Sequence, residues 1–146
     1  MINRFDGKYA FLSNYYSCPV TFGGITYENN EAAFHAQKTL SEKERRRFAN
    51  LSPSESKRLG RKVTLRNDWE DIKTEVMYKV CFAKFSQNED LKRKLLDTGN
   101  EFLEEGTTWH DNCWGNCVCE KCRNTPGENR LGQILMKIRT ELRDNI

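Results

Sequence analysis

No run of this sequence comes near the ~20 consecutive apolar residues that carry a helix across a bilayer, so no membrane-spanning role is expected. The opening residues, MINRFDGKYAFLSNYY, hold no apolar core of the kind a secretory leader needs, and the expected location is the cytoplasm. Proline is scarce at three, and internal repeats and low-complexity segments are lacking, which argues against a disordered or fibrous chain. Cysteine is not scarce. Six of them in a chain without a leader are read as free thiols or metal ligands rather than disulfides, because the cytoplasm is reducing. With 37% hydrophobic and 31% charged residues over 146 positions, the expectation is one domain spanning residues 1–146, large enough to bury a core without staples.

The net charge of +3 conceals an uneven distribution. Residues 1–41 balance at three basic against three acidic, whereas residues 42–66 carry nine Lys or Arg against three Glu, and residues 67–146 carry twelve against fifteen. A segment of +6 is suited to the phosphates of a nucleotide or nucleic acid, and equally to an ordinary solvated helix surface.

Sequence pattern predicts an α+β protein that is mostly helical, with a small N-terminal β element. β-Formers at Lys8–Leu12 and Ile25–Tyr27 with a turn at Phe22-Gly23-Gly24 suggest short strands. Asn29 or Asn30 is suited to cap a helix carrying Glu31 to Lys38. At about 100° per residue, Glu31, His35 and Lys38 fall near 0°, 40° and −20°, one narrow polar stripe, with Ala32, Ala33, Ala36 and Leu40 on a core face. That stripe faces either water or a cleft. Ser41 and Ser52 are candidate caps of two further helices, with Pro53 at a first helical position and Gly60 as a stop. Trp69, Ile72, Val76, Met77, Val80 and Lys84 recur with helical spacing and predict the longest helix over 68–87; Leu91–Leu96 predicts a short one ended by Thr98-Gly99. Leu131, Ile134, Leu135, Ile138 and Leu142 form a clean stripe near the C-terminus.

The irregular stretch 100–130 is long enough to point to function. Its segment HDNCWGNCVCEKC places Cys113, Cys117, Cys119 and Cys122 within ten residues, a set able to surround one tetrahedral zinc, with His110 as a substitute for Cys113. Asp111 beside Trp114 suits a site that stacks a base or sugar and handles a proton, although such an indole is more often a core residue. Cys18 and Cys81 are read as buried thiols.

The ordered segments RFDGKYAFLSNYY, YENNEAAFHAQK, LGRKVTLRNDW, VMYKVCFAKF, LLDTGNEFLEEGTTWHDNCWG and GENRLGQILMKIR resemble the NADAR (YbiA-like) family across nearly the whole chain. The resemblance implies a YbiA-like domain and an N-glycosidase acting on a ribosyl C1′–N bond. The substrates it suggests are ADP-ribosylated guanine in nucleic acid, taken as the first choice here, or phosphoribosylamino-pyrimidine intermediates of riboflavin synthesis. It also implies a lysine that holds the ribose as a Schiff base; on this chain that lysine maps to Lys38 and its partner glutamate to Glu31, so the stripe is expected to face a cleft. By the same resemblance Arg4, Ser13, Asn14, Gly60 and Arg61 are phosphate or ribose positions, with Trp114 and Asn129 on the opposite wall. His35 stands where a glutamine is familiar, and the cysteine cluster where a short Gly-containing loop suffices. Asp111 is the candidate second acid, and Arg4 and Arg61 are candidate cations that favour a neutral lysine amine. This chemistry calls for no cofactor, and the one metal expected is a structural zinc in the cysteine loop. A non-catalytic ADP-ribose or nucleic-acid binding module fits the basic segment equally well but leaves Glu31 and Lys38 without a purpose.

Overall fold

The computed structural model describes residues 1–145 and is α+β and mostly helical. The chain forms two compact units, one from Asn14–Leu91 and the other from Met1–Ser13 joined by the segment from Lys92 onward. No helix among the described residues is long and apolar enough to cross a membrane.

In the Asn14–Leu91 unit, β1 (Ser17–Phe22) and β2 (Ile25–Asn29) form an antiparallel hairpin. Gly23 and Gly24, at φ +59° and +82°, supply the left-handed pair that a tight hairpin turn requires. Cys18 and Val20 of β1 and Ile25, Tyr27 and Asn29 of β2 alternate inward. Sequence pattern does not single out β1, because Pro19 interrupts it; the proline sits where the register shifts between Ser17 and Val20, a place that needs no ladder N–H. Four helices follow: α1 (Asn30–Ala36), α2 (Glu42–Arg46), α3 (Pro53–Leu59) and the long α4 (Trp69–Gln87). The expected caps form: Ser41 Oγ accepts from Glu44 N–H, and Ser52 with Glu55 closes a reciprocal capping box ahead of Pro53. α4 packs on β1 and α1 through Met77, Val80, Cys81 and Phe85, and Phe34 of α1 meets the Trp69 ring at 5.1 Å. At its far end Gln87 clamps Thr21, accepting from its N–H at 2.9 Å and donating to its carbonyl at 2.8 Å.

In the other unit the expected strand over Lys8–Leu12 is a 3₁₀ helix, Gly7–Leu12. Tyr9 N–H bonds to Asp6 O and Ser13 N–H to Ala10 O, so the apolar residues that looked like β-formers reach the core from one tight turn. Ile2 bridges to Leu103, its N–H donating to Phe102 O and its carbonyl accepting from Glu104 N–H, both at 2.9 Å. α5 (Glu89–Asp97) ends, as expected, at a left-handed Gly99. The stretch read as irregular holds two short parallel strands, β3 (Gly106–Thr107) and β4 (Asn116–Cys117). α6 (Arg130–Asp144) buries all five residues of its predicted stripe. Its first free N–H groups are satisfied by the preceding loop, Arg130, Leu131 and Asn129 donating to the carbonyls of Cys113, Trp114 and Gly115.

Candidate functional site

Helix α1 starts where β2 stops because Asn29 turns the chain. Its side-chain oxygen accepts from Ala32 N–H at 2.8 Å while its amide donates to Leu51 O at 3.0 Å, which makes Asn29, not Asn30, the cap. Asn30 is buried and donates to Asn14 Oδ1 at 2.8 Å, and the Asn14 carbonyl takes the N–H of Glu31 at 3.1 Å. Asn14 thus holds the first turn of α1, with its side chain enclosed near Met77 and Cys81.

The polar stripe does not face open water. Glu31 and His35 side chains are 14% and 9% exposed, and His35 Nε2 lies 2.7 Å from Glu31 Oε1. His35 Nδ1 is buried without a hydrogen-bond partner. A Cβ at Gly60 would come within 2.7 Å of that nitrogen, so the glycine is required by the close approach of the α3 end to the ring. The helix proper ends at Ala36; Lys38 lies just beyond, in a tightened turn whose N–H reaches His35 O at 3.2 Å, and its carbonyl accepts from Arg66 N–H at 2.8 Å. Leu40, expected on the core face, is 70% exposed because the chain has left the helix before it.

Lys38 is half-buried, and burial lowers its ammonium below the ordinary lysine range. Glu31 opposes that shift, Arg61 and Lys73 reinforce it, and Glu70 opposes it more weakly. The site therefore contains a lysine inclined toward its free amine and, on helix α1 just before it, a carboxylate–imidazole pair able to hold or pass a proton. Arg61 acts as expected. A further cation is Lys73: it and its ion-pair partner Glu70 come from the first turns of α4, and local sequence carries no sign that these turns face Lys38.

The remaining expected residues lie in the unit containing α6. Arg4 is exposed and pairs with Asp6 at 2.9 Å. Arg4 and Ser13 line a cleft of about 420 Å³ together with Asn3, Asp6, Trp109 and Val118. Asp111 Oδ1 accepts from the backbone N–H of Cys113 at 3.0 Å and of Trp114 at 2.9 Å, so one carboxylate oxygen shapes the loop. Trp114 is half-buried, whereas Trp109, not singled out from sequence, is 58% exposed on the cleft. Asn129, expected as a wall residue, is buried at φ +47° and uses both ends of its amide internally, donating to Leu103 O at 2.9 Å and accepting from Glu105 N–H at 3.1 Å. In the cysteine loop, His110, Cys117, Cys119 and Cys122 bring their ligand atoms within 4.8 Å of one another, and Cys113 is not among them. Cys18 and Cys81 are buried free thiols, as expected.

The NADAR domain family matches residues 2–143. N-glycosidase YbiA of Escherichia coli strain K12 is 38% identical over 137 residues, covering 92% of this chain and 82% of that protein. Riboflavin biosynthesis protein VVA0006 of Vibrio vulnificus is 35% identical over 146 residues, covering 96% of this chain and 37% of the longer relative. The solution NMR structure of E. coli YbiA superimposes with a TM-score of 0.81 at 34% identity, over 99% of this chain and 88% of that one.

Proposed function

This chain belongs to the NADAR family and is an N-glycosidase, a hydrolase of N-glycosyl compounds, and from that premise we propose that it cleaves a ribosyl C1′–N bond with Lys38 as nucleophile. The observation that carries this reading is the half-buried Lys38, inclined toward the neutral amine by burial, Arg61 and Lys73, on the same short segment as the Glu31–His35 pair. Lys38 Nζ attacks C1′, and the C1′–N electrons leave with the base, which takes up a proton. The ring opens to an imine on Lys38. Water then adds to the imine carbon, the C–N bond to Lys38 breaks, and the sugar departs with the amine restored. Glu31, with His35 beside it, passes protons during attack, ring opening and imine hydrolysis. Asp111 is the second acid in this reading, acting through the carboxylate oxygen that does not brace the loop.

ADP-ribosylated guanine in nucleic acid is the substrate favoured here, because the +6 segment 42–66 suits a polyanionic carrier. The riboflavin name of the Vibrio relative favours a phosphoribosylamino-pyrimidine as the second candidate. In either case the protein acts in the cytoplasm and uses no cofactor in the chemical step.

Borohydride added during turnover tests the mechanism, since it reduces an imine to a stable amine. Mass spectrometry should find a ribosyl increment on the peptide containing Lys38. Lys38→Ala should lose activity and adduct, and Lys38→Arg should lose both as well, because a guanidinium does not give up its proton. An active Lys38→Ala enzyme would overturn the assignment. Offering ADP-ribosylated guanine DNA and the pyrimidine nucleotide in parallel, with released sugar as the readout, distinguishes the two substrates.

A further inference from the structure

We infer that His110, Cys117, Cys119 and Cys122 bind one structural zinc ion, and that this ion fixes the Trp109 wall of the cleft that contains Arg4 and Ser13. The inference does not depend on the reading of Lys38.

The four ligand atoms lie within 4.8 Å of one another. His110 Nδ1 lies 3.3 Å from Cys119 Sγ and also 3.3 Å from Cys122 Sγ. An imidazole nitrogen offers either one hydrogen or one lone pair, so it satisfies only one of two sulfurs. A central cation satisfies both, and a tetrahedral zinc with bonds of ~2.3 Å to sulfur and ~2.0 Å to nitrogen separates its ligands by roughly 3.5–3.8 Å, close to what is seen. Three thiolates and one imidazole form an established structural zinc set. The remaining cysteines fall outside it: Cys18 and Cys81 are buried in the other unit, and Cys113 turns its backbone to Asp111 and Arg130.

Two features of the backbone point to the same ion. His110 is one of two non-glycine residues among the described ones with positive φ, at +66°, a conformation that costs free energy unless something holds it. Its own N–H donates to Cys117 Sγ at 3.3 Å, as amides do around metal-bound thiolates. Cys117 is fixed by the pairing of β4 with β3, and Cys119–Cys122 closes in a turn through the Cys122 and Arg123 N–H groups on Cys119 O. Ligands from a strand, a turn and a strained histidine meet at one point. The charge also fits: three thiolates around a divalent cation leave a net −1, and the exposed Lys121 and Arg123 flank Cys122. Binding displaces the protons of the three thiols to solvent.

The consequence for the cleft follows from chain adjacency. Trp109 precedes His110, and Val118 lies between Cys117 and Cys119; both are 58% exposed and both line the cleft. An exposed indole lining the same cleft as Arg4 suits a flat base stacked against the ring, with the guanidinium for its phosphate. Without the metal the turn at Trp109 and His110 keeps its flanking bonds at Thr107 and Asp111 but loses the ion that joins His110 to Cys119 and Cys122.

Metal analysis of protein purified without chelator should give one zinc per chain, with three of the six thiols slow to react with a disulfide reagent until the metal is removed. Cobalt substitution should produce the intense thiolate charge-transfer and visible bands of a tetrahedral site in the wild-type chain, which needs no variant to fold. Cys122→Ser and His110→Ala should lower zinc affinity by at least tenfold, whereas Cys113→Ser should keep full zinc content. Chelation should change the emission of Trp109, identified by difference against Trp109→Phe. Well under one zinc with all thiols freely reactive, a disulfide among Cys117, Cys119 and Cys122 in freshly reduced protein, or loss of metal in Cys113→Ser would each overturn the zinc assignment. Metal loss without a change in Trp109 would overturn its role in the cleft.

Discussion

Gly60 is read from sequence as a helix stop, and it is one, but its φ of −59° is open to any residue. Its importance lies in distance, since a methyl group there would press on the ring of His35, which is buried and tied to Glu31. Gly60→Ala is expected to cost about 1–3 kcal/mol of stability by overpacking, and to reduce activity well beyond that loss because the carboxylate–imidazole pair must shift; chemical denaturation and turnover on the same samples separate the two effects. Lys84 shows the opposite limit of legibility. Its spacing puts it on the apolar stripe of α4 and it is fully buried, its ammonium pulled down to about 8 by desolvation, with Cys18 and Cys81 opposing. Because its folded pKa lies below its unfolded one, the unfolded chain binds more protons between pH 8 and about 10.5, so the native state gains stability as pH rises through that window. Lys84→Met is therefore expected to melt above wild type at pH 7 and to lose most of that advantage by pH 10, as thermal melts across pH would show.

Elements set by neighbours in sequence were legible. The caps Ser41 and Ser52 and the stripe on α6 work through residues three or four positions apart, and each appears as expected. Elements set by distant partners were not: the 3₁₀ helix depends on burying Phe11 and Leu12, and β3 and β4 exist only because each has the other. The candidate site divides the same way. Glu31 and His35 could be placed from helical spacing, whereas Lys38 falls just past the helix end, Lys73 acts on it from a helix far along the chain, and Asn129 is held by bonds to Leu103 and Glu105 that no local pattern announces. α1 illustrates how much one cap contributes, since only seven residues follow it. Asn29→Ala should cost about 1 kcal/mol or somewhat more through the lost bond to Ala32 N–H, and should impair turnover because the segment it starts ends at Lys38, the proposed nucleophile; thermal melts and kinetics check both.

At the scale of the whole molecule, composition and patterning gave the α+β class and the family motifs gave the identity, because both are distributed over the chain and survive local errors. The division into two units was not visible in this way, since no linker rich in glycine, proline or serine marks residues 13–14 or 91–92. That division bears on how the chain is made. A ribosome releases the first thirteen residues long before the segment from Lys92 onward, and the bonds of Ile2 to Phe102 and Glu104 close a loop of about a hundred residues. Closing such a loop costs on the order of 4 kcal/mol of chain entropy; the continuous unit Asn14–Leu91 has all its residues available first, and the segment Met1–Ser13 gains its partners only once the segment from Lys92 onward has emerged.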